Sequence, residues 1–119
     1  MPDIILVSGG FDPVHSGHIK LINDANKYGD VVVLLNSDAW LRNKKGKEFL
    51  SFDERKIIMQ NIKGVLDVLD FDDSDQSCVN GILKAKNLFQ NNIIKFANGG
   101  DRNNNTTPEL SLIHISEPT

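Results

Sequence analysis

The sequence predicts an α/β domain in which a parallel sheet is flanked by helices. Two observations predict it. Short apolar runs alternate with longer segments of helical spacing along 119 residues, enough chain for one sheet and its helices. The first and fourth apolar runs are each followed by a glycine turn. In an open parallel sheet both turns then lie at the carboxyl ends of the strands, where ligands bind.

The elements follow in order. Ile4-Ile5-Leu6-Val7 reads as a buried strand. A first helix spans about 17–28, burying Ile19, Ile22 and Ala25 at helical spacing, and Gly29 stops it. Val31-Val32-Val33-Leu34-Leu35 is apolar throughout, as a central parallel strand covered on both faces should be. Residues 42–48 read as a polar, lysine-rich loop. Ser51-Phe52-Asp53-Glu54 is a capping box for a helix carrying Ile57, Ile58, Met59 and Ile62 and ending at Gly64. A third strand covers 65–71, and the acidic link 72–75 can cap a helix with core positions Val79, Ile82, Leu83 and Phe89. Ile93-Ile94-Lys95-Phe96-Ala97 is the fourth strand, and Asn98-Gly99-Gly100-Asp101-Arg102 the turn after it. The whole is Rossmann-like.

Composition narrows the class without naming a function. Hydrophobic content of 39% and charged content of 24% are those of an ordinary soluble globular domain. Thirteen basic against 16 acidic side chains leave net −3, with no basic excess to attract nucleic acid. The single cysteine, Cys78, excludes an internal disulfide and a cysteine metal cluster, which suits a reducing cytoplasm. The N-terminus lacks the pattern of a signal peptide, and no apolar run nears the roughly 20 residues that span a bilayer. A soluble cytoplasmic protein without membrane contact is expected.

The chemistry concentrates in Gly9-Gly10-Phe11-Asp12-Pro13-Val14-His15-Ser16-Gly17-His18. A strand, a glycine turn and a helix start make an anion site, because the first N–H groups of a helix are unpaired and its dipole is positive there. His15 and His18 share one face of that first turn, and both are able to donate to one group. Whether they act neutral or protonated is open. A zinc pair would want His-x-x-x-His and a third ligand, and neither is evident. Asp12 either contacts the ligand or braces the turn, and Trp40 either stacks on a base or packs in the core.

Residues 9–18 resemble the signature of the cytidylyltransferase-like nucleotidyltransferases, whose hallmark is a His-x-Gly-His turn after the first strand. The resemblance spans about 3–109. Asn36-Ser37-Asp38 matches the family's Ser/Asn-x-Asp segment, and Lys44, Lys45 and Lys47 fall where it has phosphate-binding lysines. Glu54-Arg55 stands at its Glu-Arg pair and Gly99-Gly100-Asp101 at its Gly-Gly-Asp turn. Within the family the resemblance runs toward glycerol-3-phosphate cytidylyltransferase and the nucleotidyltransferase domain of ADP-heptose synthase.

The resemblance implies transfer of CMP from CTP to a phosphorylated small alcohol or sugar, with release of pyrophosphate. An adenylyltransferase using ATP and a non-catalytic nucleotide-binding domain are the alternatives. His15, His18 and Lys44 are the expected catalytic residues. Gly9, Gly10, Phe11, Asp12, Lys47, Arg55, Asn98, Gly99, Gly100 and Asp101 are the expected nucleotide contacts, Arg55 with pairing to Asp53 or Glu54 as its other reading. Mg2+ is expected on the substrate phosphates, with no metal ligands from the protein. A homodimer is expected for the complete protein.

The chain departs from the family after Leu110, where a Ser/Thr-rich turn and helix should bind the triphosphate. Residues 111–119 resemble a translated sequencing adapter, so a domain of 1–110 with a non-native tail is expected, lacking its last strand and helix. The natural chain is then expected to continue for roughly 20 to 40 residues.

Overall fold

The computed structural model describes residues 2–98 and 111–115. The chain runs β1 (Ile4–Gly9), α1 (Ser16–Asn26), β2 (Asp30–Leu35), α2 (Asp38–Lys45), α3 (Phe52–Gln60), β3 (Val65–Leu69), α4 (Val79–Leu88), β4 (Ile94–Asn98) and β5 (Ser111–His114). The five strands are ordered β3-β2-β1-β4-β5. The first four are mutually parallel, and Leu6 of β1 stands between Val32 of β2 and Phe96 of β4.

The apolar runs are continuous because both faces of the sheet are covered. Successive strand residues point to opposite faces. Ile5, Val7, Val31, Val33 and Leu35 therefore pack with Ile22 and Ala25 of α1 and Met59 of α3. Ile4, Leu6, Val32, Leu34 and Ile94 pack on the other side with Ala85 of α4. The chain winds outward from β1 through β2 to β3 and then returns to the opposite side of β1 as β4. That reversal opens a crevice between the carboxyl ends of β1 and β4.

Three expectations are corrected. The segment read as a lysine-rich loop is largely helical. Ser37 caps α2 by accepting from the Trp40 N–H at 3.1 Å, and Gly46 ends the helix at φ 90°. Val79 and Leu83, assigned to the core, are more than half exposed, because α4 covers the sheet with a narrower stripe, and Ile57 of α3 is exposed likewise. The sheet also carries a fifth strand where none was expected. Ser111–His114 pairs antiparallel with β4, setting Leu112 against one core and the following Ile115 against the other. An edge strand offers a row of unpaired backbone groups, and an extended apolar segment takes them. Among the described residues no helix is long and apolar enough to cross a membrane.

Candidate active site

The histidine turn is built as a reciprocal cap. His15 is the N-cap of α1, and its Nδ1 accepts from the Gly17 N–H at 3.0 Å. The His15 N–H donates in turn to Nδ1 of His18 at 3.1 Å. The rings stack, centroids 3.8 Å apart and planes 24° from parallel. Both Nδ1 atoms are acceptors, so in the neutral imidazoles both protons sit on Nε2. With Nδ1 of each ring taken by a backbone N–H, Nε2 is the nitrogen left to donate. A metal ion on either Nε2 would force the proton onto Nδ1, against a backbone N–H. Burial, and then the neighbouring His15, lower the pKa of His18 below 6.5, which keeps it neutral.

Two neighbours fix this geometry. A Cβ on Gly17 would stand 2.9 Å from the His15 ring, so glycine is what lets the imidazole fold back over the helix start. Phe11, 6% exposed, lies edge-on to His18 with centroids 4.8 Å apart.

The opposite wall comes from α2. Trp40, Leu41, Lys44 and Lys45 line a cleft of about 630 Å³ together with Gly9, Gly10, Phe11, Asp12, His15, His18, Asn36 and the β4 residues Phe96 and Ala97. That volume is in the range of small-molecule sites. A Cβ on Gly10 would come within 2.6 Å of Leu41, so the glycine turn and α2 close against each other. Lys44 Nζ sits 4.8 Å from the centroid of the half-buried Trp40 ring, a cation at the cleft wall. Lys47 lies beyond the end of α2 and is not among the lining residues.

Lys45 lines the cleft where Lys47 was expected to, and it is tied down. Its Nζ pairs with Asp12 at 2.9 Å and lies 4.4 Å from the centroid of Phe49. Asp12 is the only acid among the described lining residues, and its bracing role is visible: it also accepts from Phe49 N–H at 2.6 Å and Leu50 N–H at 2.8 Å.

Arg55 is corrected more sharply. It does not reach the cleft, nor does it pair with Asp53 or Glu54. Its side chain is fully buried, donating to the carbonyls of Leu50, Gly10 and Asn36 at 3.0, 3.0 and 2.7 Å and pairing with Asp38 at 2.6 Å. It staples the exits of β1 and β2 from behind. The residue that sequence reasoning missed is Asp73. Read only as part of an acidic link, it is 5% exposed and accepts from Asn36 Nδ2, Ser37 N–H and Ser37 Oγ at 3.0, 2.8 and 2.7 Å. Asn98 closes β4, and Gly99, Gly100 and Asp101 lie outside the described residues.

These two carboxylates predict how stability depends on pH. Burial alone would raise both. It is outweighed for Asp12 by Lys45 and the two N–H donors, and for Asp73 by Asn36 and Ser37, so both stand below 3.8. A depressed folded-state pKa adds stability that is complete above the unfolded value and is lost as pH falls through the folded one. The urea midpoint is therefore expected to fall as pH drops from about 5 to about 3, less steeply in Asp73→Asn. A flat midpoint over that window contradicts the assignment.

Fold and cleft together define a doubly wound α/β domain with a cleft at its switch point. The chain belongs to the cytidylyltransferase-like family, whose model matches residues 6–110. It is 32% identical over 98 residues to glycerol-3-phosphate cytidylyltransferase of Bacillus subtilis, covering 82% of this chain and 70% of that one. It is 42% identical over 69 residues to the bifunctional protein HldE of Geobacter metallireducens, covering 57% of this chain but only 14% of that much longer protein. The lipopolysaccharide core biosynthesis protein of Thermoplasma volcanium shares the fold, with a TM-score of 0.61 at 22% identity over 77% of this chain and 71% of its own.

Proposed function

We propose that the domain transfers CMP from CTP to a phosphorylated small alcohol or sugar. A phosphate oxygen of the acceptor attacks the α-phosphorus, the bond from that phosphorus to the oxygen bridging to the β-phosphate breaks, and pyrophosphate leaves with those electrons. Such a reaction needs positioning and charge neutralisation more than covalent catalysis. The observation that carries the reading is the stacked pair of histidines, each with Nδ1 engaged by a backbone N–H, lining one cleft with Lys44. They would donate to α-phosphate oxygens as charge builds on them, without exchanging a proton.

Lys44 would attract the triphosphate as a mobile charge. Asp12, the one acid among the described lining residues, is already engaged by Lys45. This donor set suits an Mg2+ ion that arrives chelated by the nucleotide, where it would neutralise phosphate charge. The same reading makes the enzyme cytoplasmic and homodimeric.

The test is direct. The purified protein, carried through the natural sequence expected after Leu110, is incubated with Mg2+, CTP or ATP, and glycerol 3-phosphate or a sugar phosphate, while pyrophosphate and the nucleotidylated product are followed. Product from CTP is expected. Turnover with ATP alone makes it an adenylyltransferase. Nucleotide binding by calorimetry without product from any acceptor makes it a non-catalytic binding domain.

A further inference from the structure

We propose that Asp73, on the loop after β3, is a positioning residue for the cleft although it does not line it. The proposal rests on the nucleotidyl-transfer reading for its kinetic readout only. Asp73 is nearly fully buried, and both of its carboxylate oxygens are used on the exit of β2. Oδ2 accepts from Asn36 Nδ2 and the Ser37 N–H, and Oδ1 accepts from Ser37 Oγ.

Ser37 is the hinge of the argument. Its hydroxyl donates to Asp73 at 2.7 Å and accepts from the Trp40 N–H at 3.1 Å. The carboxylate thus orients the oxygen that caps α2. A second tie joins the same two segments at the far end of the helix, where Asn43 Nδ2 donates to Gln76 Oε1 at 3.1 Å. The 73–76 loop therefore grips α2 near both ends without itself lining the cleft. The helix carries Trp40, Leu41, Lys44 and Lys45 to the cleft wall, so where those side chains stand follows from where Asp73 holds Ser37.

A buried carboxylate with three donors aimed at it leaves all three unpaired if it is replaced by a group that cannot accept from them. Asn in its place keeps the shape but turns one acceptor into a donor facing donors. The helix start would then shift, and with it the cations Lys44 and Lys45 on the cleft wall, which weakens the hold on the triphosphate.

The test uses Asp73→Asn in the full chain. Its kcat/KM is expected to fall roughly 10- to 100-fold, mostly through KM, with kcat within about threefold, because the histidine turn on β1 and α1 is untouched. The second readout needs no turnover. Trp40 is the only tryptophan of the chain and lies on α2, so its fluorescence emission and anisotropy report the helix directly. A red-shifted emission and lower anisotropy are expected while the far-ultraviolet circular dichroism stays that of the parent.

Parent-like Trp40 fluorescence in the folded variant overturns the proposal, as does an unchanged KM. Should Asp73→Asn not fold, Ser37→Ala, which removes the shared hydroxyl, is expected to give the same Trp40 signature, and a parent-like spectrum there overturns the proposal equally. If the parent itself forms no product, the transfer reading fails while the fluorescence still decides the role of Asp73.

Discussion

Replacing His15 by Asn or His18 by Gln is expected to lower kcat by about 100- to 1000-fold and to leave the fold standing. The two substitutions separate the structural duty of the rings from the chemical one. Each Nδ1 accepts a backbone N–H in the cap of α1. An Asn at the N-cap supplies the same kind of acceptor, and a Gln three residues on is the usual partner in a capping box. What neither supplies is the Nε2–H at the imidazole's reach into the cleft. Alanine would lose the cap as well, at about 1 kcal/mol, and would blur the result.

Urea unfolding and pyrophosphate release, measured on the same preparations, check both halves. A variant with parent-like stability and more than a tenth of the parent rate would remove the histidines from the chemistry. The neutral form also sets the pH profile. The pKa of His18 lies below 6.5, so the loss of activity on its protonation is expected on the acid side of that value.

Residues 9–18 were legible from the sequence because strand, glycine turn and helix start are all local patterns, and the parallel sheet followed from runs that are apolar on both faces. The tautomer was not legible. It depends on which backbone N–H each ring meets, and that is decided by χ angles and by the room Gly17 leaves. The misreading of α2 has a different cause. Ser37, Asp38 in the first turn, basic residues in the last turn and Gly46 are all helix signals. Three lysines and an arginine in six residues outweighed them, and a helix that buries only Leu41 shows little apolar periodicity. Once α2 is a helix, Lys44 and Lys45 share the face of Trp40 and Leu41, and Lys47 falls past its end. Asp73 and Arg55 escaped for one reason: apart from the Leu50 carbonyl, five residues before Arg55, their partners lie 17 to 45 residues away in sequence, beyond any local pattern.

Arg55→Ala is expected to destabilise the domain by about 3–5 kcal/mol, a large part of the 5–15 kcal/mol typical of a single domain. The guanidinium is fully buried, and four of its five N–H groups are spent on the carbonyls of Leu50, Gly10 and Asn36 and on Asp38. Those acceptors belong to the exits of β1 and β2 and to the starts of α2 and α3. Truncation leaves the Asp38 carboxylate without its partner and takes the donor from three carbonyls, of which that of Asn36 is in a buried bond. The cost comes from these orphaned groups more than from the pair itself, since a buried ion pair roughly repays its own desolvation. Lysine keeps the charge but cannot present a planar fork to acceptors on several sides, so Arg55→Lys should recover only part of the loss. Urea denaturation of the two variants measures this. A cost below about 1 kcal/mol for Arg55→Ala would show that the residue is not the staple its contacts describe and would return it to the phosphates.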